Sequence, residues 1–133
     1  HADFDEINAV RRLLEEEIIK LASVNHTKEQ LEAIEKCLER RKAAILAENP
    51  QECADADIDF HMAIAFASGN KVLAELYYGF TVVLRNFFNA RETNGTSKFA
   101  INHYLHEQLL DAIKKKKANT ALQVLKKILE RNY

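Results

Sequence analysis

Two segments of this 133-residue chain place titratable side chains on faces that ought to be apolar. Around Asp57, a helical register puts Cys53, Asp57, Phe60, His61 and Ile64 on one stripe. Asp57 and His61 are four apart and so project the same way. Around His106, the same register groups Phe99, His103, His106, Leu110 and Ile113, with two imidazoles three apart. A carboxylate facing a core is strongly unfavourable unless it is paired or metal-bound. One carboxylate converging with two or three imidazoles inside a helical bundle suits a divalent transition metal. The same residues also suit a plainer arrangement, a buried Asp–His pair with the other histidines partly exposed. Asp-x-x-x-His is common by chance in helices, and spacing leaves both readings open.

Two arginines raise a related question. Arg11 lies in register with Phe4, Ile7, Leu14 and Ile18, along the flank of an apolar stripe. A guanidinium cannot shed its charge, so an inward Arg11 must face an anion, either a protein carboxylate or a ligand carboxylate. Arg85, among Val83, Leu84, Phe87 and Phe88, poses the same question more weakly. An inward arginine beside a carboxylate–imidazole cluster would make a pocket for a small organic acid.

Helices must position these groups. Helix one is expected from about Asp5 to Ala22, with Ile7, Val10, Leu14, Ile18 and Leu21 on one face. Thr27-Lys28-Glu29-Gln30 reads as a capping box that starts helix two, which runs to about Ala47. Asn49-Pro50 starts helix three, with an Asn cap and Pro at the first helical position, and Ser68-Gly69-Asn70 stops it. Helix four is expected over about Lys71 to Arg91, broken at Asn94-Gly95. Helix five spans about Ser97 to Lys116, and helix six about Asn119 to Arg131. Short connections make neighbours antiparallel. The expected fold is all-α, a single domain over residues 1–133.

Composition narrows the class. Only 3 Gly and 1 Pro allow few turns, which favours long helices over many short strands. A net charge of −1 argues against nucleic-acid binding by this segment. Its one basic run, Lys114 to Lys117, is explained by solvent and the end of a helix dipole. Cys37 and Cys53 fit no metal spacing and suit a reduced, cytoplasmic protein. No apolar run approaches the roughly 18 residues of a membrane span. The chain opens at His1 with no Met, which suggests a piece of a longer protein.

The order of these segments resembles the FCD domain, the C-terminal effector domain of the FadR branch of GntR transcription regulators. Val10-Arg11-Arg12-Leu13-Leu14-Glu15 resembles its opening helix. Asp57-Ile58-Asp59-Phe60-His61 followed by Ala67-Ser68-Gly69-Asn70 resembles its Asp-x-x-Phe-His and Ala-Ser-Gly-Asn signature. His106-Glu107-Gln108-Leu109-Leu110-Asp111-Ala112-Ile113 resembles its later His-containing helix, and Ala121 falls where the last helix carries an Ala. The likeness covers nearly the whole chain in the right order. It implies an antiparallel bundle of six or seven helices around a central pocket.

In many members of that family an Asp and three His hold a divalent metal that helps bind a carboxylate effector. The resemblance implies Asp57, His61 and His106 as ligands here, to zinc or a nickel- or manganese-like ion. Ile128 stands where the last family His would be, so one ligand is missing, and His103 is a possible substitute. Three protein ligands and water can still hold such an ion. The resemblance implies Arg11 as a pocket residue; with Arg85, read from its apolar neighbours alone, it makes the expected effector-binding pair. A homodimer is also implied, with DNA contacted only by a winged helix-turn-helix domain N-terminal to this segment. No enzymatic activity is expected. The rival enzyme would be a non-haem iron oxygenase or a di-iron bundle. No Glu-x-x-His motif supports the di-iron bundle, and no candidate general base supports the oxygenase. A metal-free helical interaction module is the third reading.

Overall fold

A computed structural model describes residues 3–89 and 95–131. Among these residues the chain forms seven helices: α1 (Phe4–Asn25), α2 (Lys28–Leu46), α3 (Pro50–Ala67), α4 (Lys71–Asn89), α5 (Ser97–Ile101), α6 (His103–Lys114) and α7 (Ala118–Arg131). The expected all-α bundle is what the chain adopts. None of these helices is long and apolar enough to cross a membrane.

Local chemistry sets most helix starts. Thr27 accepts from the Gln30 N–H while the Gln30 side chain accepts from the Thr27 N–H, the reciprocal pair expected from the sequence. Asn49 accepts from the Glu52 N–H, ahead of Pro50. Asp3 and Glu6 form a further capping box that starts α1 slightly earlier than the periodicity suggests. After α3 the chain turns at Gly69, whose φ of +76° strains any residue with a Cβ. The Asn25 side chain donates to the Ser68 carbonyl at 2.9 Å, which ties the end of α1 to this turn. The expected Asn94 break and the last residues of helix four, Ala90 and Arg91, lie outside the described residues.

The bundle forms around α3, which packs against α1, α2 and α4 and is buried over most of its surface. Its alanines, Ala54, Ala56, Ala65 and Ala67, let neighbouring backbones approach closely. On the other side α7 packs against α1 and α6. The apolar interior includes Ile18 and Ile19 of α1, Ile34 of α2, Leu84 of α4, Leu109 and Ile113 of α6, and Leu125 and Ile128 of α7.

The expected fifth helix is two helices. It breaks at Asn102, which has φ −104° and ψ 10°. In an unbroken helix the Phe99 carbonyl would serve the His103 N–H. Here that oxygen accepts from Nη1 of Arg41, a side chain of α2, at 3.1 Å. A buried guanidinium thus competes for the backbone at the point of the break. The break makes His103 the first residue of α6 and shifts its direction relative to Phe99.

Candidate metal and anion centre

Asp57 and His61 come from adjacent turns of α3, and His106 comes from the first half of α6. The structure brings these three together. Each offers a ligand atom, and those atoms lie within 4.8 Å of one another. Asp57 and His61 are each 2% exposed and His106 is fully buried. Phe60 positions both imidazoles, its ring centroid lying 5.3 Å from that of His61 and 5.2 Å from that of His106.

The protons on the two rings follow from their partners. His106 Nδ1 is 2.9 Å from the Asn102 carbonyl, which can only accept, so Nδ1 carries the hydrogen. Burial and the Arg41 charge push the His106 pKa down to about 4, so the neutral ring exposes a lone pair at Nε2. That lone pair lies 2.9 Å from Asp57 Oδ1, without hydrogen-bond geometry. Two acceptors at this distance repel unless a proton or a cation sits between them. His61 lies similarly: Nδ1 sits against Glu15 Oε1 at 2.5 Å and Nε2 is 3.9 Å from Asp57 Oδ2, neither with hydrogen-bond geometry. A ring that gives one nitrogen to a carboxylate or carbonyl and keeps the other free has the usual arrangement of a metal-bound histidine. These residues fit a divalent ion with three protein ligands.

Around the three donors lies a buried network of charges. Arg11 Nε pairs with Glu15 Oε2 at 2.6 Å, one turn along α1, and Arg11 Nη2 is 4.0 Å from Asp57 Oδ2. The Tyr77 hydroxyl donates to Glu15 Oε2 at 2.8 Å. Burial alone would raise the Glu15 pKa, but His61 and Arg11 bring it down to about 2. Burial and the Glu15 charge hold Tyr77 well above its usual pKa, so it stays a donor. Arg41 Nε pairs with Asp57 Oδ1 at 2.8 Å, and Arg41 Nη2 donates to Asn102 Oδ1 at 2.7 Å. Burial opposes ionisation of Asp57, yet the Arg41 guanidinium beside it holds its pKa well below the usual carboxylate range.

The remaining sequence candidates lie elsewhere. His103 Nδ1 is 2.8 Å from Arg41 Nη1 and accepts from it, and burial and Arg41 lower its pKa. It is outside the three-donor group. Arg85 is not brought to the centre, because its side chain is 41% exposed and pairs with Asp55. Ile128 is fully buried in the apolar core, and α7 supplies no donor among the described residues. Arg11 does point inward, and the nearest carboxylate it meets is the protein's own Glu15.

Sequence reasoning gave no role to Glu15, Arg41, Tyr77 or Asn102. A signal existed for the first two. Glu15 is the i+4 partner of Arg11 on the buried stripe Ile7, Arg11, Glu15, Ile18 and Ala22. Arg41 falls on the α2 stripe with Ile34, Cys37, Leu38 and Ala44. Tyr77 and Asn102 carried no comparable signal.

Comparison with known proteins accords with this architecture. A regulator of the Uxu operon from Haemophilus influenzae is 32% identical over 131 residues, covering 94% of this chain and 48% of that protein. The Uxu operon transcriptional regulator of Escherichia coli K12 is 31% identical over 72 residues, 54% of this chain and 28% of that protein. The chain thus spans about half the length of the Haemophilus relative. Among solved structures, Escherichia coli McbR/YncC superposes with a TM-score of 0.85 at 24% identity, over 96% of this chain and 64% of that one. Streptococcus agalactiae GntR gives 0.81 at 22%, over 96% and 56%. At these identities the two structures establish the fold alone. The FCD domain matches residues 6–131, which is nearly the whole chain, and this protein belongs to the FCD domain family.

Proposed function

We propose that this chain is the ligand-sensing half of a GntR-type transcription regulator. In this reading Asp57, His61 and His106 hold a divalent transition metal that helps bind a small organic carboxylate. The observation that carries it is the pair of imidazole Nε2 atoms, buried without hydrogen bonds beside one ionised carboxylate. A bound zinc, nickel or manganese ion would supply a Lewis-acidic point of attachment for a carboxylate oxygen. Glu15 and the Asn102 carbonyl orient the two rings, and Arg11 places positive charge within 4.0 Å of Asp57. The centre is a binding element and not a reaction centre, in keeping with relatives that are named as regulators.

The regulator would work in the cytoplasm as a homodimer. It would contact DNA through a winged helix-turn-helix domain in the half of the Haemophilus relative that this chain does not span. The exposed apolar stripe Val72, Leu76 and Val83 on α4 supports self-association, because such a patch on one helix is a candidate protein interface. A ligand shifts DNA placement only through its differential affinity for the two arrangements of the dimer.

Elemental analysis of chain purified without chelator, followed by calorimetric titration with hydroxy- and dicarboxylic acids, tests the proposal. Stoichiometric metal and binding of at least one acid are expected. No metal and no acid binding would leave the second reading, a metal-free helical module. That reading is favoured by one observation: Arg41 already sits on Asp57 Oδ1 as an internal cation.

A further inference from the structure

The charged Arg, Lys, Asp and Glu side chains buried among the described residues are Arg11, Glu15, Arg41 and Asp57. They pair off, Arg11 with Glu15 at 2.6 Å and Arg41 with Asp57 at 2.8 Å. Carboxylates this close to guanidinium groups are ionised. The interior therefore holds two negative and two positive charges, balanced before any ligand arrives. A histidine binds a metal only through a nitrogen without a proton, so His61 and His106 add no charge to a loaded centre. A divalent cation on Asp57, His61 and His106 then brings two positive charges that no described buried carboxylate offsets. Arg11, Arg41 and His106 are fully buried, so water screens that excess poorly. Uncompensated charge in such surroundings is strongly unfavourable, and the effective way to remove it is to bring in an anion.

We infer that this centre, given the metal-assisted reading above, takes its cation together with a small dianion, so that metal and dicarboxylate each tighten the binding of the other. A monocarboxylate would leave one positive charge buried, and a neutral amide of the same shape would leave two. The order of effect is therefore set by ligand charge and not by size. Arg11 and Arg41 sharpen the discrimination, because each is held near Asp57 by a buried partner and cannot lose its proton. Linkage makes the effect reciprocal: the factor by which the dianion raises metal affinity is the factor by which the metal raises dianion affinity.

The test uses zinc and the wild-type chain, with zinc affinity read by competition with a chromophoric chelator. It is measured alone and with saturating malonate, acetate or malonamide, correcting free zinc for complexes formed in solution. Malonate should tighten zinc binding at least tenfold, acetate by a smaller factor, and malonamide not at all. Calorimetric titration of malonate with and without zinc should return the malonate factor. In Arg41→Gln, which removes one positive charge, the advantage of malonate over acetate should shrink. The wild-type comparison stands even if this variant does not fold. Zinc affinity indifferent to malonate, or equal enhancement by acetate and malonate, overturns the dianion inference and leaves the metal reading in place. Absence of zinc binding in every arm removes both.

Discussion

Arg41 Nε lies 2.8 Å from Asp57 Oδ1, and the same guanidinium donates to Asn102 Oδ1 at 2.7 Å. His106, whose Nδ1 bonds the Asn102 carbonyl, returns its Nε2 to within 2.9 Å of Asp57 Oδ1 and closes a ring of contacts. The candidate ligands of α3 and α6 are thus joined through α2. One side chain, Arg41, touches both Asp57 and the α5–α6 junction at the Phe99 carbonyl and Asn102.

Removing that side chain should unfold the protein readily. Arg41→Met leaves Asp57 with one fewer cation in a dry interior, a change that costs about 3–5 kcal/mol when a buried pair is broken. Arg41→Lys should recover little, because an ammonium cannot meet Asp57, Phe99 and Asn102 in one planar fork. Urea denaturation of both variants checks this. A lysine variant as stable as wild type would show that charge alone matters.

Stability of the metal-free protein should fall steadily on acidification below neutral pH. Burial and Arg41 hold His106 from its ordinary 6.5 down to about 4, so below 6.5 the unfolded chain takes up a proton that the folded chain refuses. That contribution is absent above 6.5 and grows as the pH falls to 4. Glu15 acts in the next window. Its pKa is depressed from 4.5 to about 2, burial being outweighed by His61 and Arg11, so its stabilisation is complete above 4.5 and lost between 4.5 and 2. Denaturant midpoints in chelator at pH 7, 5.5 and 4 should decline in order. In His106→Gln the decline between 6.5 and 4 should flatten.

Divalent metal should raise the melting temperature of the wild type, since a ligand of the folded state at a hundredfold excess over Kd adds about 2.7 kcal/mol. His61→Gln and His106→Gln should abolish the rise. His103→Gln and Arg85→Ala should keep it, because His103 serves Arg41 and Arg85 pairs with Asp55. Differential scanning fluorimetry with zinc and with chelator separates the two groups. Loss of the response in Arg85→Ala would argue for a different ligand set.

Gly69→Ala should destabilise by about 1–2 kcal/mol, the cost of a left-handed conformation for a residue with a Cβ. At φ +76° the new methyl would also stand 3.4 Å from Asn25 Cβ, on the side chain that ties α1 to this turn. Thermal melts of the single variant measure it. The centre lies elsewhere, so zinc affinity should not change.

The sequence by itself determined most of the helices, because caps and punctuation are local. Thr27 with Gln30, Asn49 with Pro50, and Gly69 act within a few residues of the bonds they make. It also put Asp57, His61 and His106 on faces whose neighbours at helical spacing are apolar, but left open whether every histidine was buried; the structure buries all three. Only the tertiary structure decided which partners those groups meet. Arg41 is 16 residues from Asp57 and 61 from Asn102, and Tyr77 is 62 from Glu15. Such pairings depend on how whole helices rotate and cross, which no local spacing encodes. The same long-range contact explains why an apparently continuous fifth helix breaks at Asn102: the carbonyl one turn before His103 is taken by a guanidinium from another helix.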